Sequence, residues 1–338
     1  MKQMLNTLYV LTPGSYLSLQ NDTIAIKIGG EEKVRIPSHT ISSIYCFGNT
    51  TVSTPLIGFC GQKGISLIFF SEYGKFYGRV QGPVSGNILL RRMQFAAAED
   101  PVARTRLARS MLLGKISNSK LFLQREKRER TGNEEKFSEA IDTLSSIAAE
   151  LRTCPSVEQM MGLEGAAASA YFAAMPFMIA KDEFTFTGRN RRPPEDPMNA
   201  ILSFLYTLLK NDVQSALEGV GLDPAAGFLH SMRPGRPALA LDLMEELRSP
   251  ICDRLAVSLI NRGQITLKHF EQLNAPVLLN ETGRKTVLGA WQKRKQETVR
   301  HPFLEETIPI GLIPHTQAML LARVIRNEMD EYPPFVWR

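Results

Sequence analysis

Apolar and polar residues alternate with a period of two through residues 8–80, a pattern that is typical of β-strands. In residues 15–28, SYLSLQNDTIAIKI, two alternating runs flank the turn-forming tripeptide Gln20-Asn21-Asp22 and predict a β-hairpin. Further strands are predicted at residues 34–36, 41–47, 65–70 and 75–80. Together these runs predict a small antiparallel β domain.

One short helix is predicted inside this domain. Thr54-Pro55 is followed by LIGFCGQKG, so proline stands in the first turn and glycine near the end. Both placements are typical of the two ends of a helix.

After the turn-rich GPVSG at residues 82–86, the apolar spacing changes to three and four residues. Helices are predicted at residues 101–130, 134–152, 157–180, 197–217, 238–248 and 250–261. Residues 181–197, which include FTFTGRNRRPPEDP, have no periodicity and are predicted to form a basic loop. The pattern therefore predicts an α+β protein with an N-terminal β domain at residues 1–86 and a larger all-α domain at 87–338.

Composition narrows the class of protein. The 338 residues are 43% hydrophobic and 22% charged, as in an ordinary globular chain. No apolar run reaches the ~20 residues that a membrane-spanning helix needs, and residues 1–14 lack the apolar core of a signal peptide, so a cytoplasmic protein is expected. The four cysteines show no CxxC spacing and are expected to be reduced and buried. With a net charge of only +6, any nucleic-acid surface must be a local patch.

Glu164 is the first candidate for a chemical role. It lies in MGLEGAAASAYFAAM, where small neighbours let a ligand or another backbone approach the carboxylate. A glutamate early in a helix is also favoured by the helix dipole, so this residue alone does not define a site.

His230 is the second candidate, because the helix that follows it carries Asp242, Glu245 and Glu246. Imidazole and carboxylate ligands together suit Mn²⁺ or Mg²⁺. On a helical projection Asp242 lies farthest from the apolar face, while the two glutamates fall on its opposite margins. Helical geometry therefore leaves both glutamates as candidate ligands and places Asp242 where it can support Glu245. Solvated charge on an amphipathic helix is the alternative.

Arginines accompany these acids at Arg189, Arg191, Arg192, Arg233 and Arg236. A guanidinium group binds phosphate oxygens in a bidentate manner, so the arginines indicate a substrate that contains phosphate. A solvated basic loop is the alternative for the first three. The chain contains no GxxxxGK[ST], GxSxG, HExxH or GxGxxG motif that would indicate another chemistry.

Three segments in this order, LEGAAASAYF, FTGRNRRPPEDPMNAILSFLYTLL and GFLHSMRPGRPALALDLMEELR, resemble the CRISPR-associated spacer integrase family. The resemblance extends over the whole chain, since that family has a small N-terminal β domain and a larger helical catalytic domain. The ending YPPFVWR is similar to that of one subtype. The resemblance implies that Glu164, His230 and Glu245 hold a catalytic Mg²⁺ or Mn²⁺ ion, and that Asp242 is a further acid near it.

The resemblance also implies the reaction and the partners. A DNA 3′-hydroxyl would attack a phosphodiester at the repeat and insert a captured double-stranded fragment. The protein would act as a homodimer, with dimer and partner contacts in its N-terminal domain, together with a second, smaller adaptation protein. A general metal-dependent nuclease acting on branched or single-stranded DNA is one alternative, and a non-catalytic DNA-binding scaffold is the other.

Overall fold

The computed structural model describes residues 6–82, 88–190, 193–272 and 276–337. The chain divides into two compact units, Met1–Ser85 with Leu279–Gln292, and Gly86–Leu278 with Lys293–Arg338. The predicted boundary between residues 86 and 87 lies within residues 83–87, which are outside the described ranges. Residues 279–292, which the sequence pattern assigns to the second domain, group with the first unit. Among the described helices, none is long and apolar enough to cross a membrane.

The described part of the first unit contains two four-stranded sheets. Their strands are β1 (Asn6–Val10), β2 (Ser15–Gln20), β3 (Thr23–Ile28), β4 (Glu31–Pro37), β5 (Ile41–Phe47), β6 (Thr50–Val52), β7 (Ser66–Phe70) and β8 (Phe76–Val80). One sheet has the strand order β1-β5-β7-β8, and the other has the order β4-β3-β2-β6. The core contains alternate residues of these strands, such as Leu17, Ile24 and Ile44.

The predicted hairpin is confirmed, because β2 pairs with β3 in antiparallel register. Asn21 and Asp22 both have positive φ angles, 45° and 58°, as a two-residue turn of the hairpin type requires.

The prediction that the sheets are antiparallel is only partly right. Strands β3–β4 and β7–β8 are antiparallel, but β1–β5, β5–β7 and β2–β6 are parallel. Parallel neighbours need a long crossover, and helix α1 (Thr54–Lys63) supplies it between β5 and β7. Thr54-Pro55 predicts this helix, but the local pattern carries no information about the direction of the strands that it connects.

The second unit is mostly helical, as predicted. The helices are α2 (Ile88–Glu99), α3 (Pro101–Glu129), α4 (Glu134–Thr153), α5 (Val157–Ala174), α6 (Pro197–Val220), α7 (Ala238–Leu247), α8 (Arg254–Asn261), α9 (Glu281–Gln296), which begins in the first unit, and α10 (Ile313–Ile325). Asp100, Ser156 and Asp196 cap the first turns of α3, α5 and α6 with their side-chain oxygens. A π-helical turn, Arg248–Asp253, follows α7 and contains Pro250.

The all-α description of this domain is wrong in one respect. In the described residues, four short strands form two ribbons: β9 (Phe270–Gln272) with β10 (Val277–Leu279), and β11 (Thr298–Arg300) with β12 (Thr307–Pro309). Each strand has three residues, which is too short for an alternation of apolar and polar positions to be recognised.

The segment from Tyr332 to Trp337, called the 332–337 segment below, packs against α3 and α7. The Asn118 amide donates to the carbonyl oxygens of Phe335 and Glu246, both at 2.7 Å, and its oxygen accepts the Trp337 N–H at 2.8 Å. The Tyr332 hydroxyl donates to the Glu246 carboxylate at 2.7 Å. One segment thus joins two helices through their side chains.

Gly114 of α3 makes this packing possible. A Cβ atom at this position would lie 2.7 Å from Pro334 Cβ and 3.0 Å from Glu246 Oε2. We expect Gly114→Ala to lower the free energy of unfolding by ~1–3 kcal/mol, because the side chain overpacks a full interior. Gly162→Ala in α5 is the matched control, since nothing lies within 4 Å of its added Cβ. For Gly162→Ala we expect the free energy of unfolding to rise by up to ~1 kcal/mol, because alanine has the higher helix propensity. Urea denaturation of both variants measures the two effects, and equal changes would contradict the close approach at Gly114.

Candidate functional site

Glu164 and Lys115 come from neighbouring helices of the second unit. Glu164 lies in the second turn of α5, whose N-terminus is fixed by the Ser156 cap, and its side chain is 27% exposed. Lys115 lies midway along α3, between Met111 and Ser119, which are both buried. Its side chain is only 13% exposed, so its ammonium group is directed among the helices rather than into solvent.

His230 lies in the connection between α6 and α7 and is held by Asp242. Its Nδ1 atom lies 2.7 Å from Asp242 Oδ1, and the same oxygen accepts the backbone N–H of His230 at 2.9 Å. The other oxygen, Oδ2, accepts the backbone N–H groups of Phe228 and Leu229. Asp242 therefore fixes both the loop and the imidazole ring, and leaves Nε2 as the ring's remaining ligand atom.

The three acids of α7 are all buried, so the alternative of a solvated helix face is wrong for every one of them. Helix α7 is covered on all sides by other parts of the unit, a situation that the sequence of one helix cannot reveal. Asp242 supports His230, rather than Glu245 as its spacing suggested.

Glu246 belongs to the packing of the 332–337 segment. It accepts hydrogen bonds from Gln317 Nε2 at 2.8 Å, the Tyr332 hydroxyl at 2.7 Å and the Phe335 N–H at 3.2 Å. Burial raises the pKa of Glu246 to about 8 despite these donors. Its carboxylate is thus engaged on the side of α7 that faces this segment.

Lys115, Glu164, Glu245 and Arg248 form an ion-pair cluster. The Lys115 ammonium contacts Glu164 Oε1 and lies 2.8 Å from Glu245 Oε2. Arg248 Nη2 lies 2.8 Å from the other oxygen of Glu245. Burial disfavours the Glu245 anion, but the charges of Arg248 and Lys115 outweigh burial and lower its pKa to about 2. Glu245 is therefore ionised at neutral pH, with His230 contributing a smaller effect in the same direction.

Aromatic side chains and a further acid border the cluster. A cleft of about 30 Å³, room for about two water molecules, adjoins it. The hydroxyls of Tyr206 and Tyr171 donate to the Asp253 carboxylate at 2.7 and 2.9 Å, and burial raises the pKa of Asp253. The Arg248 guanidinium stacks over the Tyr206 ring at 5.2 Å. These contacts fix the arginine that faces Glu245.

The donor groups suit a hard divalent cation. Glu164 and Glu245 already share a cation, the Lys115 ammonium, and both offer carboxylate oxygens, while His230 offers Nε2. In the described residues, however, no three side chains of His, Cys, Asp or Glu are grouped closely enough to hold a metal ion. The two glutamates thus converge on one point, but the complete set with His230 does not.

The predicted arginines are in different situations. Arg189 is half-buried, donates to Asn199 Oδ1 at 2.6 Å and to Ser203 Oγ at 3.1 Å, and stacks over a tyrosine ring. These contacts make it part of the α6 packing. Arg233 is exposed and Arg236 is partly exposed in the loop after His230. Arg191 and Arg192 lie outside the described residues.

Sequence reasoning missed Lys115, Arg248 and Asp253. A signal existed for Lys115, because a lysine with apolar residues three and four positions before it lies on the buried side of its helix. Arg248 and Asp253 bound a π-helical turn, which has no comparable sequence pattern.

Comparison with known proteins gives a consistent result. The family model described as CRISPR associated protein Cas1 matches residues 8–293. The CRISPR-associated endonuclease Cas1 1 of Chlorobaculum tepidum is 49% identical over an alignment of 344 positions, which covers 100% of both chains. A casposase bound to integration product has a TM-score of 0.85 at 22% identity, covering 99% of this chain and 95% of that chain. A Cas6-RT-Cas1–Cas2 complex has a TM-score of 0.84 at 20% identity, covering 100% of this chain and 36% of that chain.

Proposed function

Because the chain belongs to the Cas1 family of CRISPR-associated proteins, we propose that it is a metal-dependent DNA integrase of CRISPR adaptation. It would join the 3′-hydroxyl of a captured double-stranded fragment to the repeat by transesterification. The observation that carries the proposal is the pair of carboxylates, Glu164 and Glu245, that meet around a single cation. The names of the relatives support nuclease chemistry, and the casposase, which was solved with an integration product, supports the joining reaction.

In this proposal Glu164, His230 and Glu245 hold Mg²⁺ or Mn²⁺. Such an ion, when bound, activates an attacking oxygen and stabilises charge on the phosphorus centre and on the leaving oxygen. Asp242 holds the imidazole of His230 in position through its Nδ1 contact. Arg248, fixed between Glu245 and Tyr206, keeps the Glu245 carboxylate ionised and in place. These contacts hold His230 and Glu245 each in a fixed position.

The joining reaction exchanges one phosphodiester for another. The attacking 3′-oxygen forms a new bond to phosphorus, and the bond from phosphorus to the 3′-oxygen of the repeat strand breaks. The attacking hydroxyl loses its proton, and the leaving oxygen gains one. Arg233 and Arg236, together with Arg191 and Arg192, are assigned to contacts with DNA phosphates in this proposal.

The proposal includes partners. The Cas6-RT-Cas1–Cas2 complex supports a second, smaller adaptation protein as the partner of this chain. We assign dimerisation and partner contacts to the N-terminal β-rich unit, so the active form would be a homodimer.

A strand-joining assay tests the proposed function. A labelled duplex with free 3′-ends is incubated with a supercoiled repeat plasmid, Mn²⁺ and the smaller partner protein. We expect label in the plasmid. Cleavage of branched or single-stranded DNA without joining would replace the proposal with a general nuclease. DNA binding without any reaction would replace it with a scaffold.

A further inference from the structure

A lysine lies between the two carboxylates that the proposed function assigns to the metal ion. Lys115 contacts one oxygen of Glu164 and one oxygen of Glu245, the latter at 2.8 Å. The site therefore has a cation of its own, which is supplied by the neighbouring helix α3.

A divalent ion held between Glu164 Oε1 and Glu245 Oε2 would need the position that the ammonium group occupies. Mg²⁺ binds carboxylate oxygens at ~2.1 Å, and the space beside Glu164 Oε1 and Glu245 Oε2 is filled by Lys115 Nζ. A lysine and a divalent cation at one point would also repel each other strongly in a partly buried setting. The two cations exclude one another.

The surroundings make the lysine a stable occupant. Its side chain is 13% exposed, and Glu245 is 2% exposed, so solvent screens this pair weakly. Without Lys115, the carboxylates of Glu164 and Glu245 would be left with Arg248, which pairs closely with Glu245 and interacts with Glu164 only through its charge. Lys115 thus balances the charge of the site before a metal ion enters.

We propose that Lys115 is an internal counter-ion that holds Glu164 and Glu245 together and must be displaced when the divalent ion binds. The inference rests on the proposed function, because it concerns the same metal site. Lys115 is a positioning residue here, because it holds carboxylates from two different helices at one point. After displacement, the Lys115 ammonium group is still carried by α3 close to the site. A DNA phosphate can then become its new partner.

Lys115→Met tests the inference, since methionine keeps an unbranched apolar side chain and removes the charge. We expect its Mn²⁺ affinity at pH 7, measured by titration with electron paramagnetic resonance, to rise ~10-fold or more. A tenfold rise in affinity corresponds to about 1.4 kcal/mol of binding free energy, which the wild type loses in displacing the lysine. The metal-free variant should melt at a lower temperature than the wild type. Its gain in melting temperature on adding Mn²⁺ should be larger.

Lys295→Met is the matched control, because Lys295 Nζ lies 2.7 Å from Asp212 Oδ2 and is similarly buried at 11% exposure. It should lose stability without a change in Mn²⁺ affinity. Lys115→Gln serves as a second variant if methionine prevents folding, with the same expected gain in affinity.

The possible outcomes distinguish the counter-ion role of Lys115 from the existence of the metal site. Unchanged or weaker Mn²⁺ binding by the Lys115 variants, with normal binding by the wild type, overturns the counter-ion role and leaves the metal site standing. Absence of Mn²⁺ binding in the wild type and in all variants at millimolar concentration overturns both the metal site and the role of Lys115.

Discussion

Glu245→Gln is expected to reduce strand joining by more than ~100-fold, whereas Glu246→Gln, one residue further along the same buried helix, is expected to retain it. Loss of the groups that merely orient a metal ligand costs 10–100-fold, so loss of a ligand's charge should cost at least as much. Glu245 faces Lys115 and Arg248, while Glu246 faces the 332–337 segment. The joining rate with Mn²⁺, measured for both variants, checks this difference.

Folding must be controlled in this comparison, because Glu245→Gln leaves two buried cations with one partner fewer. His230→Ala is the second variant, since the imidazole is partly exposed and takes no part in the ion pairs of the cluster. It should lose joining to a similar degree with a near-normal melting temperature. Equal loss of joining in Glu245→Gln and Glu246→Gln, or normal joining by folded Glu245→Gln and His230→Ala, would contradict the assignment of the ligands.

The stability of the chain should depend on pH through Glu246. Its pKa is raised from the ordinary value of 4.5 to about 8 by burial. Between these two pH values the folded chain keeps a proton that the unfolded chain releases, so the free energy of unfolding falls as pH rises and levels off above about pH 8. At ~1.4 kcal/mol per pH unit, the total effect is on the order of a few kcal/mol.

Glu246→Gln supplies the reference, since glutamine does not titrate in this range. The wild type should exceed the variant in melting temperature most clearly near pH 5, and the gap should narrow towards pH 8. Other titrating groups are shared by both proteins and cancel in the difference. Thermal denaturation at four or five pH values measures the gap, and a gap that widens with pH would contradict a protonated Glu246.

Local patterns predicted the elements of the fold well and their arrangement less well. The β2–β3 hairpin and the starts of α3, α4, α5, α6 and α7 follow from turn residues, caps and apolar spacing. The parallel strand pairs do not, because strand direction depends on which strands become neighbours in space. Residues 279–292 join the first unit for the same kind of reason: long-range packing has no signal in the segment itself.

In the candidate site, too, individual residues can be predicted from the sequence better than their arrangement in space. The resemblance singled out Glu164 and Glu245, and the structure places both against Lys115. The spacing of α7 does not predict the burial of its three acids. A helical projection assumes one solvent-exposed face, and all three acids of α7 are buried. The spacing around Lys115 predicts its burial but not its partners, which lie far away in the sequence.

We expect the 332–337 segment to affect the rate of folding as well as the packing of the helices. The Asn118 side chain donates a hydrogen bond to the Phe335 carbonyl oxygen, and these two residues are 217 positions apart in the chain. Contacts this distant are slow to form, since a long loop must close before they stabilise anything. Helices α3 and α7 contact each other directly through Lys115 and Glu245, so we expect the docking of the 332–337 segment to be a separate, later step in folding.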